Sequence, residues 1–173
     1  MQRALRFLDA VLPPDGLRVV AFKPPQWRRG LKHLFVSTNE EVVRACERID
    51  NGEITCYFAL ASYASRDAGR EATNTVQLQC LWVDLDFKQY TNKEDADADL
   101  VTLSEVVGPP SIVVDSGGGI HAYWVLRRPV PTAEWKPLAE AFQATWRAHG
   151  VKSDPISADA ARILRLPGTH NRK

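Results

Sequence analysis

The sequence predicts an α+β domain with a largely antiparallel sheet, and three observations carry that prediction. Val76 to Asp86 is one long, mostly apolar run that reads as a strand. Thr132 to His149 places Trp135, Leu138, Ala139, Phe142 and Trp146 at 3.6-residue spacing, which makes one face of a helix. Strands and helices follow one another without the regular βαβ alternation of a doubly wound sheet. With 173 residues the chain is long enough for one domain with a real core and too short for two ordinary ones. Residues 1–173 are therefore read as a single domain.

The elements follow in order. Arg3 to Val11 has Ala4, Leu5, Leu8 and Val11 at helical spacing and is closed by Pro13-Pro14. Leu17 to Phe22 reads as a strand, followed by a Pro24-Pro25 turn and a basic loop around Arg28-Arg29. Leu34 to Ser37 is a second short strand. Asn39 to Asp50 is a helix with Asn39 as candidate cap and Val42, Val43, Cys46 and Ile49 on one face. Cys56 to Ala61 is an apolar run and reads as one buried strand. Ser62 to Thr75 is a polar loop or irregular helix carrying Arg66 and Arg70. Tyr90 to Asp99 reads as a solvated acidic connection and Ala98 to Val106 as a helix. Ser111–Val114 and His121–Leu126 form a hairpin around three glycines. Thr132 is the candidate cap of the last helix and Gly150 its stop. Lys152 to Lys173 is a loop with a short helix or strand.

Formal net charge is +1, so any site for a polyanion must come from local clustering. The basic residues do cluster, first at Lys23, Arg28, Arg29 and Lys32, then at Arg127-Arg128, then from Arg162 to Lys173. Cys46, Cys56 and Cys80 are odd in number, lack CxxC spacing and lie in apolar surroundings. That pattern predicts reduced, buried thiols and a cytoplasmic setting, not a disulfide frame. The N-terminus lacks the apolar stretch of a signal peptide, and no apolar run reaches membrane length.

Three constellations carry chemistry. Asp84 and Asp86 end the long strand at positions i and i+2, so their side chains share a face. Adjacent carboxylates repel unless a cation lies between them, and oxygen ligands of this type suit Mg²⁺ or Mn²⁺. Two solvated acids at a strand end is the plainer alternative. Asp115-Ser116-Gly117-Gly118-Gly119-Ile120-His121 comes next. Its glycines admit a ligand close to backbone amides, and Ser116 and His121 add polar groups suited to phosphate. The third runs from Asp154 through Asp159, Arg162 and Arg165 to a Pro167-Gly168 turn, then Thr169, Asn171 and Lys173. Arg162 and Arg165 share a face if helical, and such a cluster of donors suits phosphate charge.

Read in order, Asp-x-Asp, Ser-Gly-x-Gly-x-His-x-Tyr-Trp and Asp…Arg-x-x-Arg-x-Pro-Gly-x-x-Asn-x-Lys resemble the archaeo-eukaryotic primase superfamily, in its branch of plasmid and phage primase-polymerases. The motifs cover residues 76–173, while the first 75 residues show only a compatible layout. The resemblance implies a core in which an RRM-like antiparallel sheet packs against a second αβ unit. It implies that Asp84 and Asp86 ligate two divalent cations, with a third acid for which Asp154 fits best and Asp159 is the reserve. It further implies that Ser116, Gly117, Gly118, Gly119 and His121 contact the incoming nucleotide, and that Arg162, Arg165, Asn171 and Lys173 hold triphosphate or template. The implied activity is template-directed primer synthesis from NTPs or dNTPs on single-stranded DNA by two-metal phosphoryl transfer. Primases of this type often continue into a helical primase-associated or helicase region, so the expectation is a catalytic core of a longer protein.

Two other classes compete. A metal-dependent nuclease or relaxase of mobile DNA would pair two histidines with a Tyr nucleophile, and His121 has Tyr123 beside it but no second histidine in its strand. A non-catalytic RRM-like module would read bases with exposed aromatics, for which Trp82 and Phe87 are the candidates flanking the Asp pair.

Overall fold

Two four-stranded antiparallel sheets face each other in the computed structural model, which describes residues 2–170, the side chains of 155 and 156 aside. The elements are α1 (Gln2–Val11), β1 (Arg18–Phe22), β2 (Lys32–Val36), α2 (Asn39–Asn51), β3 (Cys56–Ala59), β4 (Ala61–Tyr63), β5 (Thr75–Asp86), α3 (Lys93–Val107), β6 (Ile112–Asp115), β7 (Gly119–Pro131), α4 (Thr132–Ala148) and β8 (Ile163–Leu164). One sheet has the order β2-β1-β3-β8 and the other β4-β5-β7-β6. The α+β class with antiparallel sheets is as the sequence predicts.

The second sheet has the strand order of an RRM, a β-α-β-β-α unit made by β5, α3, β6, β7 and α4. Its fourth strand, β4, enters from the N-terminal side of the unit instead of following α4. The apolar run from Cys56 is therefore not one strand. It breaks at Leu60, with β3 in one sheet and β4 in the other. Leu60 is fully buried at the crossing. An unbroken apolar run carries no punctuation at which to divide it.

One core cluster lies between the sheets and against α1 and α2. Phe7 of α1 touches both sheets edge-on, with ring centroids 5.6 Å from Phe58 and 5.2 Å from Tyr123. A second cluster joins Val83, Leu85, Ile120 and Ala122 to α3 and α4. Trp135 and Trp146 are buried, as their helical spacing requires, and Trp135 stacks on Trp82 at 5.3 Å. Cys46, Cys56 and Cys80 are buried free thiols. Among the described residues no helix is long and apolar enough to cross a membrane.

Several boundaries differ from the sequence reading for local reasons. The cap of α2 is Thr38, not Asn39: its Oγ1 accepts from Glu41 N at 3.2 Å while Glu41 accepts from Thr38 N, a capping box. Asn39 instead accepts from Arg18 Nε and donates to Asp9. The acidic stretch after Tyr90 is no solvated connection. Asn92 accepts from Asp95 N at 2.8 Å and opens α3, whose first turn carries Glu94 and Asp95 where the helix dipole favours negative charge. Thr132 is the first residue of α4, not its cap, because β7 runs straight into the helix through Pro131 without a side-chain cap. The loop after Ser62 starts with β4 and ends in a 3₁₀ turn at Ala72–Asn74, where buried Asn74 ties it to the Ser65 and Gly69 carbonyls at 2.6 Å. β2 begins at Lys32, earlier than predicted, and β7 extends on to Pro131, past Leu126 where the hairpin reading ends.

Candidate active site

β5 and β7 pair so that Asp84 lies opposite His121 and Asp86 opposite Gly119. Strand alternation puts Leu78, Cys80, Trp82, Asp84 and Asp86 in one row. The first three are fully buried, and the row changes to carboxylates where it leaves the core. The two acids thus emerge at the mouth of the cleft between the sheets.

His121 is 5% exposed, with Nε2 3.5 Å from Asp84 Oδ1 and Nδ1 3.5 Å from the Tyr123 hydroxyl. Burial, followed by the Arg165 and Arg162 guanidiniums, pushes the imidazole pKa down to about 4. The ring is neutral near pH 7. Burial raises the Tyr123 phenol well above its ordinary value, so its O–H stays available to donate to Nδ1. The Nε2–H then faces Asp84.

The three glycines do three different things. Gly117 has φ +75 and open space where a side chain would be, and its N–H donates to Asp115 Oδ1 at 2.8 Å. Gly118 accepts from Phe87 N at 3.0 Å and borders the cleft. Gly119 is pressed against the neighbouring strand, where a Cβ would stand 2.4 Å from Leu85 O. Its glycine is a requirement of strand packing. The Ser116 hydroxyl donates to Gly119 O at 3.0 Å.

The opposite wall is built around β8, which pairs with β3 through Phe58–Leu164 and Ala59–Ile163. Arg162 and Arg165 flank this two-residue strand, so they are in extended chain and not on a helix face. Both nonetheless line the cleft. The Arg162 guanidinium pairs with Asp154 and lies 4.0 Å from Asp84 Oδ2. Arg165 Nη1 donates to Ser116 O at 2.8 Å, and its guanidinium stands 6.0 Å from the Tyr57 ring centre.

Of the two candidates for a third acid, Asp154 comes next to the pair: its N–H donates to Asp84 O at 3.2 Å, and Ser153 Oγ bonds the Asp84 backbone at 3.2 Å. Asp159 instead accepts from Ala161 N at 2.9 Å and shapes the turn before Arg162. Among the described residues no three acids, histidines or cysteines stand grouped as a ready cation cage. The hard oxygen donors of Asp84 and Asp86 fit Mg²⁺ or Mn²⁺, and Arg162 supplies positive charge between Asp84 and Asp154. Asn171 and Lys173 lie outside the described residues. The cleft also contains Tyr57, Lys88, Ile163 and Leu164, which the motifs do not reveal. Tyr57 sits in a run that reads as plain core, and nothing in the sequence separates it from its neighbours.

No protein-family model matches the chain. Among solved structures it superposes on the AEP domain of the cyanophage S-2L primase-polymerase with a TM-score of 0.69, over 99% of this chain and 83% of that one, at 16% identity. The chain has the primase-polymerase fold. The catalytic domain of the primase RepB′, solved in complex with initiator DNA, superposes at 0.64 over 98% of this chain and 77% of that one, at 16% identity. The polymerase domain of Mycobacterium tuberculosis ligase D, in complex with DNA, superposes at 0.52 over 99% and 75%, at 11% identity. A curated replication protein of Clostridium perfringens is 30% identical over 110 residues, which is 60% of this chain and 26% of that protein. The chain thus spans about a quarter of the length of that relative. The primase-polymerase fold accounts for the RRM-like order of the β4-β5-β7-β6 sheet and for a cleft formed where two sheets meet.

Proposed function

We propose that this chain is a primase-polymerase: a nucleotidyltransferase that joins NTPs or dNTPs into short primers on single-stranded DNA. The observation that carries the reading is the pairing of an acidic wall, Asp84 and Asp86, with a basic wall, Arg162 and Arg165, across one cleft in a primase-polymerase fold. The triphosphate is the substrate whose charge such a cleft balances. In this reading Arg162 and Arg165 neutralise phosphate oxygens, and the turn from Ser116 to Gly119 positions them. His121, neutral and buried, offers its Nε2–H as a donor and is not the general base. Asp84 and Asp86, with Asp154 as the third ligand, would hold two divalent cations, which when bound would supply activation of the 3′-hydroxyl and charge neutralisation at the leaving pyrophosphate. Arg162 must then exchange its carboxylate partners for phosphate. Template, primer and nucleotides are the partners, with a helicase or helical primase-associated region as the expected companion.

Both rivals lose support from burial. Tyr123 is fully buried and cannot act as a DNA nucleophile, and no second histidine joins His121 among the described residues. Trp82 is 1% exposed beneath Trp135 and so is not displayed for base reading, while Phe87 is half-buried against the second core cluster. The test is incorporation of labelled rNTP or dNTP on single-stranded DNA with Mg²⁺ or Mn²⁺. Asp84→Ala combined with Asp86→Ala should abolish it, and full activity in that variant sinks the proposal.

A further inference from the structure

The β1–β2 loop is the most basic exposed segment outside the cleft, and none of its residues lines the candidate active site. No acidic residue occurs between Asp15 and Glu40, while Lys23, Arg28, Arg29 and Lys32 all fall in that interval. All four are exposed, and none forms an ion pair among the described residues. In their midst Trp27 is 36% exposed, with Lys32 Nζ 4.4 Å from its ring centre. The backbone holds it there, since Trp27 N donates to Pro24 O at 2.9 Å and closes the turn. Trp27 thus keeps over a third of its surface in water, beside cations that have no acidic partner among the described residues.

The loop connects to the candidate active site through one residue. Lys23, Pro25 and Leu31 line a cleft of about 330 Å³ together with Tyr57, and Glu53 is its acidic member. Tyr57 also lines the cleft that holds Asp84 and Asp86, where its ring faces the Arg165 guanidinium. Its strand pairs with β1, which leads directly into the loop, with Ala21 opposite Tyr57. Aromatic faces alternate with cations from Arg165 through Tyr57 and Lys23 to Trp27, Lys32, Arg28 and Arg29. Single-stranded nucleic acid is held by that combination: cations track phosphates, and aromatics take bases regardless of sequence.

We propose that Tyr57 and the β1–β2 loop form a track for single-stranded DNA leading out of the candidate active site, with Trp27 as its outer stacking platform. Calling that strand the template rests on the function proposed above, whereas its binding requires neither cation nor nucleotide. The experiment is therefore fluorescence anisotropy with a labelled oligo(dT) in EDTA, alongside a duplex and an oligo(rU) of equal length. Trp27→Ala should weaken oligo(dT) binding about tenfold, with Trp27→Phe retaining most of it, and should leave duplex binding unchanged because paired bases cannot stack on it. Replacing Lys23, Arg28, Arg29 and Lys32 together by Gln should lower the slope of log affinity against log salt by about 3. These positions are exposed, and circular dichroism verifies that the variants stay folded. Unchanged oligo(dT) affinity in both Trp27→Ala and the charge variant overturns the track, and loss of incorporation in the Asp84/Asp86 variant would still stand beside that result. Conversely, a Trp27 effect together with full activity in the Asp84/Asp86 variant keeps the track and removes the nucleotidyl-transfer reading. Oligo(rU) bound tenfold more tightly than oligo(dT) overturns DNA as the ligand.

Discussion

The acidic wall of the cleft rides on two long paired strands, β5 of 12 residues and β7 of 13, whereas the basic wall is carried by β8, a strand of two residues. Asp84 and Asp86 are placed by ladder register, with His121 and Gly119 directly across. Arg162 and Arg165 are placed by the two-pair β3–β8 ladder, with single ties from remote parts of the chain holding the segments around it. Arg70 donates to Ala161 O, Lys136 Nζ to Ala158 O at 3.1 Å, and His170 bonds the Asp50 carboxylate at 3.0 and 2.8 Å. Local periodicity fixes one half of the site and tertiary contact the other.

Three measurements sharpen that contrast. The largest effect is expected on the register-held side. Gly119→Ala forces a Cβ against Leu85 O and should cost about 3 kcal/mol in urea unfolding. Gly117→Ala, two residues away with open space but φ +75, should cost only about 1 kcal/mol. Equal costs would mean that the strands do not depend on that close approach.

The next effect is a pH dependence at the seam between the walls. His121 titrates near 4 in the folded chain, against an ordinary value of 6.5. Between those values the unfolded chain holds a proton that the folded one refuses, so stability falls as pH drops through this window. The loss should approach about 3 kcal/mol by pH 4 and be absent above pH 7. His121→Gln should flatten the curve, and an unchanged slope would assign the acid sensitivity elsewhere.

The smallest effect belongs to the tertiary ties. Arg70→Ala releases Ala161, the residue before Arg162, and should weaken nucleotide binding about fivefold with little change in melting temperature. A large fall in stability with unaltered affinity would show that Arg70 supports the core and not the basic wall.

The same division explains what could be read from the chain. The Asp pair, the His–Tyr alternation and the helix faces are period-2 or period-3.6 patterns, and they were legible, except that Leu138, read with the apolar face of α4, is 48% exposed. Gly119 was legible as a glycine but not in its role, because its neighbour Leu85 is remote in sequence. The break at Leu60 and the length of β7 were hidden, one by an unbroken apolar run and the other by Arg127-Arg128. Whether Arg162 and Arg165 lie in a helix or a strand was left open by the sequence, since β8 owes its conformation to its pairing with β3. Tyr57 reaches the cleft only through the packing of one sheet on the other, whereas Lys88 is brought there by the 3₁₀ turn in which its N–H donates to Asp86 Oδ1.

The crossing at Leu60 has a consequence for the order of biosynthesis. The β4-β5-β7-β6 sheet is complete within residues 61–131, whereas the β2-β1-β3 sheet waits for residues 163–164 to fill its last position. Domains generally fold as units as the chain leaves the ribosome. Arg162 to Arg165 are the last of the cleft residues to emerge, so the acidic wall cannot meet its basic partner until that segment has been made.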